Sequence, residues 1–396
     1  MKSVALALHG IRVVEQGTFI TGPNAGMLLA DLGADVIKVE SPTGDPYRSY
    51  QGGQFSPHFQ AYNRNKRSIA LDLTAEPDRA LFERLIRRAD VYIQNFRPGA
   101  AERLGAGAER LMRLNPQLVY TSISGFGSSG PYRERPSYDS VAQALSGFLS
   151  VVVDPERPRF MGPALADAIT GIYAAYGVLA ALVARGREGK GSHVEVSMLE
   201  AMAHFAVEPF AAFFALGKAP RFDDRPRLAQ AHILRTADGG LIALHLSSLE
   251  KFWQELTLAL DSVELTKDPR FATRQSRIDN YEALGAALDA LFSRRPLREW
   301  LTILGSRDVP FAPIQGMSEV VEDPQVRALG LIVPVIGAHG GKSAVRPPIQ
   351  FDGQRATAVR TAPLLDEHGA AIRQALGPEG GWPALEPTFP KEETQP

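Results

Sequence analysis

Residues 11–40 read IRVVEQGTFITGPNAGMLLADLGADVIKVE, and this stretch decides the fold. The segments IRVVEQ and DVIKVE at its two ends are rich in β-branched residues and predict short strands. Between them, PNAGMLLADLG predicts a helix, because proline stands near its start and glycine at its end. A strand, a helix and another strand in this order indicate the first unit of an α/β fold.

The same alternation continues over the first third of the chain. Further strands are predicted at residues 68–73, 90–96 and 118–126, with helices at 75–89 and 100–114. This pattern predicts a parallel sheet with helices on both faces. In sheets of this kind, ligands bind at the carboxyl ends of the strands, near the switch in strand order.

The pattern changes after residue 216. A polar, proline-bearing stretch, GKAPRFDDRPRLAQ, predicts a linker, and HILRTADGGLIAL predicts a hairpin that turns at Asp238-Gly239-Gly240. We therefore expect a large domain over 1–216, a linker over 217–231, a small α+β domain over 232–327, and a segment over 328–396 that returns to the large domain. The tail of that segment is rich in proline and charge and is predicted to be disordered.

Composition narrows the class of protein. The formal net charge is −1, so the whole chain offers no electrostatic reason to bind nucleic acid or an anionic membrane. There is no cysteine, which removes thiol nucleophiles, thiolate metal sites and disulfides and fits a cytoplasmic protein. The longest apolar run, 172–184, is shorter than a bilayer span. The histidines lack metal-ligand spacing, so no metal is expected.

The residue that stands out as a candidate functional residue is Asp167, in GPALADAITGIYAAYGVLAALVARG at residues 162–186. The stretch predicts a buried, apolar helix with a carboxylate in its first turn. One interpretation is a helix-capping aspartate that accepts backbone N–H groups, and the residue types alone favour it. The other is a carboxylate nucleophile that attacks an acyl carbon and is held ionised by the helix N-terminus.

Two basic groups flank predicted strands. Arg64, Lys66 and Arg67 precede one strand, and Arg97 and Arg103 follow another together with the aromatic Phe96. These groups are either a solvated surface or ligands for a phosphorylated nucleotide. The turn GTFITGPNAG at 17–26 suggests a tight turn or close approach to a ligand, with Phe19 and Ile20 as candidate pocket residues. The chain contains neither a G-x-G-x-x-G motif nor a P-loop.

Six stretches in this order resemble the class III coenzyme A transferases. This family contains formyl-CoA:oxalate CoA-transferase, the carnitine CoA-transferase and α-methylacyl-CoA racemase. The stretches are GIRVVEQGTFITGPNAGMLLADLGADVIKVE, NRNKRSIALDL, ADVYIQNFRPGAAERLG, SISGFGSSGPYRERPSYDSVAQALSG, GPALADAITGIYAAYGVLAAL and GKGSHVEVSMLEA. Weaker likeness continues to the C-terminal region, so that the resemblance covers nearly the whole chain.

The resemblance implies specific roles. The family's nucleophile is an aspartate at the position of Asp167. The positions that line or adjoin the CoA site are those of Leu71, Asn95, Phe96, Arg97, Arg103 and Tyr138, the last near the reacting thioester. The resemblance also implies a Rossmann-like large domain, a smaller domain and an interlocked homodimer. Its substrates would be an acyl-CoA and a small carboxylic acid.

The implied reaction moves CoA from a thioester to a free acid through an aspartyl mixed anhydride and an aspartyl-CoA thioester. The hairpin RTADGGL has fewer glycines than the flap of the formyl-CoA branch, which argues against specificity for oxalate or formate. The resemblance is greater to members that act on dicarboxylic acids such as succinate and glutarate. One alternative is an acyl-CoA racemase or isomerase that uses Asp167 as acid and base. That chemistry needs a partner acid, and Tyr138 stands where the racemases have histidine. The other is a CoA- or nucleotide-binding protein without catalysis, in which Asp167 only caps its helix.

Overall fold

A computed structural model describes residues 7–50, 53–160, 162–247, 250–377 and 380–383. These residues form two compact units. Within the described part, the larger unit holds residues 7–149, 160–207 and 327–383, and the smaller unit holds Ser150–Arg159 and Glu208–Val326. The chain therefore leaves the larger unit twice and returns to it twice.

A six-stranded parallel sheet forms the centre of the larger unit. Its strands are β1 (Arg12–Gln16), β2 (Asp35–Glu40), β3 (Arg67–Ala70), β4 (Val91–Gln94), β5 (Val119–Ser124) and β6 (His193–Ser197). Their spatial order is β3-β2-β1-β4-β5-β6. This is the order of a doubly wound sheet, with the topological switch between β1 and β4. The predicted α/β class with a parallel sheet is confirmed.

Helices cover both faces of this sheet. They are α1 (Thr21–Asp31), α2 (Pro57–Asn63), α3 (Glu76–Ile86), α4 (Ala100–Arg103), α5 (Ala108–Leu114), α6 (Asp139–Leu145), α7 (Leu165–Glu188) and α8 (Met198–Phe205). Short 3₁₀ turns lie at Pro46–Ser49, Gly53–Phe55 and Phe148–Val151. The single helix predicted over 100–114 is two helices, because Gly105 between them has a left-handed backbone (φ +72°).

The helix α7 is 24 residues long, which is longer than the apolar run that we expected to be too short for a membrane. By length and composition it is long and apolar enough to cross a bilayer. Its buried residues Ala174 and Val178 pack in one apolar cluster with Ala25 and Leu29 of α1. This is the packing of a core helix.

The smaller unit is built mainly of helices around a three-stranded antiparallel sheet. Its elements are α9 (Val207–Leu216), α10 (Asp224–Ala229), β7 (Ala231–Arg235), β8 (Leu241–His245), α11 (Glu250–Leu260), α12 (Val263–Lys267), α13 (Arg274–Asp279), α14 (Tyr281–Phe292), α15 (Leu297–Gly305), β9 (Phe311–Pro313), α16 (Met317–Val320) and α17 (Pro324–Ala328). The strands β7 and β8 form the predicted antiparallel hairpin.

The boundaries of the units differ from those predicted. The smaller unit takes in Ser150–Arg159 and starts again at Glu208, before the predicted boundary at 216. The predicted linker over 217–231 contains α10, and Pro226 lies in the first turn of that helix. A proline costs little there, because the N–H it lacks has no partner within the helix. The prolines that indicated a linker are therefore compatible with a helix.

The C-terminal segment packs in the larger unit. It contains β10 (Ile332–Ile336), β11 (Ser343–Val345), β12 (Val359–Arg360) and α18 (Gly369–Ala375). Ile372 and Leu376 join the apolar cluster beneath β3 and α3. The guanidinium of Arg373 donates to the carbonyl of Ala70 at 2.7 Å. The predicted disordered tail lies, from residue 384 onward, outside the described residues.

Candidate functional site

A cavity of about 250 Å³ lies at the carboxyl ends of β1, β4 and β5. It is lined by the turn after β1 (18–21), the turn after β4 (95–98), the end of β5, the loop before α6 and the first turn of α7. This is the switch point of the sheet, where a doubly wound fold is expected to bind its ligand. We call it the Asp167 cavity, after the carboxylate that α7 presents to it.

Asp167 is partly buried, and it does not cap its helix. The carboxylate of Asp139, in the first turn of α6, accepts the N–H groups of Ala166 at 2.8 Å and of Asp167 at 3.4 Å. Within the described part of the chain, no group donates a hydrogen bond to the Asp167 carboxylate. The capping interpretation of Asp167 is therefore wrong, because another aspartate supplies the cap.

The environment of Asp167 favours its protonated form. Burial, and after it the charge of Asp139, raise the pKa of Asp167 to about 7. We expected the helix N-terminus to hold this carboxylate ionised, and the structure corrects that expectation. Removal from water and a nearby like charge both disfavour the ionised form of a carboxylate. Near neutral pH the group is poised between its two forms.

The turn between β1 and α1 is held by Asn95. Its side-chain oxygen accepts the N–H of Thr18 at 2.9 Å, and its amide donates to the Thr18 carbonyl and the Thr21 hydroxyl, both at 2.8 Å. Phe19 in this turn has a positive φ of 60°, which is strained for an aromatic residue. The Asn95 side chain thus holds the backbone that places Phe19 on the cavity wall.

A buried ion network lies beneath the same turn. Glu15 pairs with Lys66 at 2.9 Å and with Lys38 at 3.4 Å, and Lys38 also pairs with Asp45 at 3.1 Å. All of these side chains are fully buried. Glu15 accepts the N–H of Gly17, and Lys38 donates to the Gly17 carbonyl. The network therefore fixes the start of the turn.

These pairings correct one sequence-based interpretation. Lys66, a candidate phosphate ligand, instead forms a buried ion pair with Glu15. Burial lowers the pKa of Lys66 to about 8. Arg64 pairs with Asp31 at 2.6 Å, and Arg67 pairs with Asp35 at 2.5 Å. The basic group at the start of β3 forms ion pairs with acids inside the fold, so it is neither a solvated surface nor a phosphate site.

Aromatic rings form one side of the cavity. Tyr138 meets Phe19 edge-on with ring centroids 6.2 Å apart, and Phe19 lies 5.7 Å from Tyr47. Burial is the largest cause that raises the pKa of Tyr47 to about 12, and nearby Tyr62 and Asp167 add to it. Burial and then Asp167 also raise the pKa of Tyr62. Both phenols therefore stay protonated close to Asp167.

The predicted site residues divide into two groups. Asn95, Phe96, Arg97, Tyr138 and Asp167 line the Asp167 cavity. Leu71 and Arg103 do not. The side chain of Leu71 is 2 % exposed within the core, and Arg103 is exposed on α4.

A second cavity, of about 720 Å³, shares part of its lining with the first. Phe96, Arg97 and Arg133 line both cavities, and His193 and Glu195 of β6 line only the larger one. Among the described residues, no group of three or more His, Cys, Asp or Glu side chains could hold a metal ion. The polar ends of β4 and β5 thus open onto two adjoining spaces of different size.

Several residues of the site were missed from the sequence. Arg133 and Arg135 lie between β5 and α6, and Asp139 is the first residue of α6. Asn24 of α1 donates to the carbonyl of Ala168 at 2.9 Å. An aspartate at the start of a predicted helix, such as Asp139, indicates a residue that caps a helix. Nothing in the local pattern shows that it caps a different helix 28 residues further on.

Comparisons with known proteins agree with one another. A model of CoA-transferase family III matches residues 8–369. The chain is 36% identical to an acetyl-CoA:oxalate CoA-transferase from Acetobacter aceti, over 92% of this chain and 94% of that protein. It is 35% identical to a succinate–glutarate CoA-transferase from Agrobacterium fabrum, over 93% of this chain and 95% of that protein.

A solved structure has the same architecture. A CAIB/BAIF family protein from Brucella suis is 37% identical, with a TM-score of 0.83 over 93% of this chain and 99% of that chain. The fold, the family match and the relatives lead to one assignment. The chain belongs to CoA-transferase family III, the class of enzyme that the sequence predicted.

Proposed function

We propose that this chain transfers CoA from an acyl-CoA to a free carboxylic acid, with Asp167 as the nucleophile. The observation that carries the proposal is that two neighbouring aspartates make different contacts. Asp139 caps the helix, and Asp167 lies on the cavity wall with a carboxylate that accepts no hydrogen bond from the described residues. The Asp167 carboxylate does not cap its helix, is partly desolvated and has a raised pKa. A carboxylate of this kind is suited to attack an acyl carbon.

The first half of the reaction transfers CoA to the enzyme. A carboxylate oxygen of Asp167 attacks the thioester carbon, and the carbon–sulfur bond breaks. The CoA thiolate is released, and an aspartyl–acyl mixed anhydride is formed. The thiolate then attacks the Asp167 carbonyl carbon and expels the donor acid as a carboxylate. The product is an aspartyl-CoA thioester.

The second half reverses these steps with another acid. The acceptor carboxylate attacks the aspartyl carbonyl carbon and releases the thiolate, which attacks the acceptor's own carbonyl in the new anhydride. This frees the acyl-CoA product and restores Asp167. No proton moves in any step, so no general base is required.

We assign the CoA-binding roles as follows. Phe96 and Arg97 line both cavities, and we assign them to contact CoA between its thioester and its phosphate end. Arg103 offers an exposed guanidinium close by on α4. Asn95 acts by shaping the turn, and Leu71 can contribute only through its main chain, because its side chain lies in the core.

We propose that the acids are small dicarboxylates. The relatives named above are an oxalate transferase and a succinate–glutarate transferase. The Asp167 cavity, at about 250 Å³, is smaller than pockets for drug-sized ligands and suits an acid of this size.

The racemase alternative is less well supported. It needs a second acid or base opposite Asp167. No histidine is among the described residues that line the Asp167 cavity, and Tyr138 occupies the candidate position. Histidine is the side chain suited to proton transfer near neutral pH, and a tyrosine stands in its place. Exchange of an α-proton in deuterated water without CoA transfer would support this alternative.

We also propose a cytoplasmic homodimer. The helix α7 exposes an apolar row, Ile172, Tyr176 and Val183, of which Tyr176 is 68 % and Val183 is 63 % exposed. Apolar rows of this kind mark association surfaces. Light scattering at micromolar concentration is expected to give twice the chain mass, and Tyr176→Glu is expected to lower the dimer fraction. A monomeric wild-type chain would contradict the proposal.

The test of the mechanism is chemical. Incubation with succinyl-CoA is expected to give an adduct on the Asp167 peptide that mass spectrometry detects and hydroxylamine removes. Asp167→Asn should lose both the adduct and CoA transfer to glutarate. Asp279→Asn, at an exposed position of α13, is the control and should behave as wild type. Full activity of Asp167→Asn without an adduct would refute the covalent mechanism.

A further inference from the structure

We propose that Arg135 binds the distal carboxylate of the dicarboxylic acid and thereby selects dianionic substrates. The inference rests on the proposed CoA-transferase function. Its starting point is the charge of the Asp167 cavity, because Arg97, Arg133 and Arg135 line that cavity with Asp167 as the one carboxylate among its described lining residues. The cavity is therefore cationic, although the chain as a whole has a formal net charge of −1. Cationic clefts concentrate anions.

The three arginines differ in which space they face. Arg97 and Arg133 line both cavities, so either is placed to meet the phosphates of CoA. Arg135 lines the Asp167 cavity and not the larger one. We therefore assign the guanidinium that lines only the cavity of the nucleophile to the acid, and not to the nucleotide.

Arg135 is also available to a ligand. Arg133 already pairs with Glu134 at 3.2 Å. Arg135 has no carboxylate partner in the described chain, and its guanidinium lies 4.0 Å from the centroid of the Tyr132 ring. Stacking occupies the face of a guanidinium and leaves its in-plane N–H groups free. Those groups match the two oxygens of a carboxylate.

The loop that carries Arg135 is anchored against the sheet. A Cβ on Gly125, at the end of β5, would lie 2.3 Å from the Cβ of Ser137. Only glycine permits this approach, which seats the loop two residues from Arg135. The anchored backbone and the Tyr132 ring together limit the positions that the guanidinium can reach. A diacid whose reacting carboxylate meets Asp167 would then extend its other carboxylate toward Arg135.

The test compares each diacid with its half-amide, which has the same size without the distal charge. CoA transfer from acetyl-CoA is measured to succinate and succinamate, and to glutarate and glutaramate. Wild type is expected to prefer the diacid in kcat/KM by about 10- to 100-fold, typical of a hydrogen bond to a charged group. Arg135→Gln should reduce this preference to about 1 by raising KM for the diacid, with little change for the half-amide.

Matched variants separate the possible outcomes. Arg113→Gln, at an exposed position of α5, should leave both acids unchanged. Arg133→Gln should affect both acids equally, and Arg135→Lys should restore part of the preference. Equal loss for both acids in Arg135→Gln, loss of the preference in Arg133→Gln instead, or no preference in wild type would overturn the assignment. Absence of transfer to any acid by wild type would contradict the proposed function itself.

Discussion

Asp139 caps the helix that carries Asp167, through hydrogen bonds of 2.8 Å from the N–H of Ala166 and 3.4 Å from the N–H of Asp167 itself. The same contact brings a second negative charge to the proposed nucleophile. Asp139 therefore does two opposing things: it stabilises the start of α7, and it disfavours the ionised form of the carboxylate that α7 presents. The reactivity of Asp167 depends on this pair.

The pH dependence of transfer should report the pair. Because Asp167 attacks as a carboxylate and its pKa is about 7, kcat/KM for the acyl-CoA is expected to fall as the pH drops below about 7. Asp139→Asn keeps an oxygen for the cap but removes the like charge. Its acid limb should move to lower pH. The move should be smaller than the whole displacement from an ordinary aspartate, because burial is the larger cause.

The measurement is a pH–rate profile of both proteins with the same donor and acceptor. Asp139→Ala serves as the structural comparison, because it should also lower the free energy of unfolding by about 1 kcal/mol through loss of the cap. An acid limb that stays in place or moves to higher pH in Asp139→Asn would contradict the proposed coupling.

A second prediction concerns stability. The pKa of Asp167 is raised in the folded state, so folding is most favoured when the group is protonated and is weakened as the pH rises from about 4 to about 7. Asp167→Asn removes this cost and should stabilise the protein by on the order of 2 kcal/mol at pH 8. The gain should shrink toward pH 4. Thermal unfolding at pH 4.5, 6 and 8 measures it, and a gain that does not grow with pH would count against the buried charge.

The fold was largely predictable because its signals are local. The strand DVIKVE is β2 (Asp35–Glu40), because its β-branched residues Val36, Ile37 and Val39 give a local strand signal. The helix predicted over 75–89 is α3 (Glu76–Ile86), whose proline stands in its first turn. The predicted linker contains α10 instead, because the sequence alone does not distinguish a proline in the first turn of a helix from a proline in a loop.

The site was predictable only in part, because its partners are distant along the chain. The sequence identified Asp167 as an unusual carboxylate, but the Asp139 that caps its helix comes from another element. Lys66 was taken as a possible phosphate ligand because Glu15, its buried partner, lies 51 residues away. The sequence shows that a side chain is charged, but it does not show whether that side chain faces solvent, binds a ligand or pairs with a residue of another strand.

The buried network gives a third prediction. Glu15→Gln keeps the shape of the side chain but leaves Lys38 and Lys66 buried with less counter-charge. Breaking a buried ion pair in this way should lower the free energy of unfolding by about 3–5 kcal/mol. Glu109→Gln is the control, because Glu109 is exposed and pairs with Arg113 on the surface. Urea unfolding followed by circular dichroism compares the two, and equal stabilities would show that the network contributes nothing net.

The last prediction concerns the crossing of α1 and α7, which sets where Asp167 stands. A Cβ on Gly171 would lie 2.7 Å from the Asn24 amide nitrogen and 2.9 Å from the Thr21 carbonyl oxygen, so Gly171→Ala must push the two helices apart. We expect a loss of stability of about 1–3 kcal/mol from overpacking, with a fall in kcat as Asp167 moves away from the cavity. Gly186→Ala on the same helix meets nothing within 4 Å and should gain up to about 1 kcal/mol from helix propensity. Opposite signs of the two stability changes, measured by thermal unfolding beside kcat, would show that packing at the crossing decides the outcome. If Gly171→Ala behaved like Gly186→Ala, the close contact would have no influence on the position of the nucleophile.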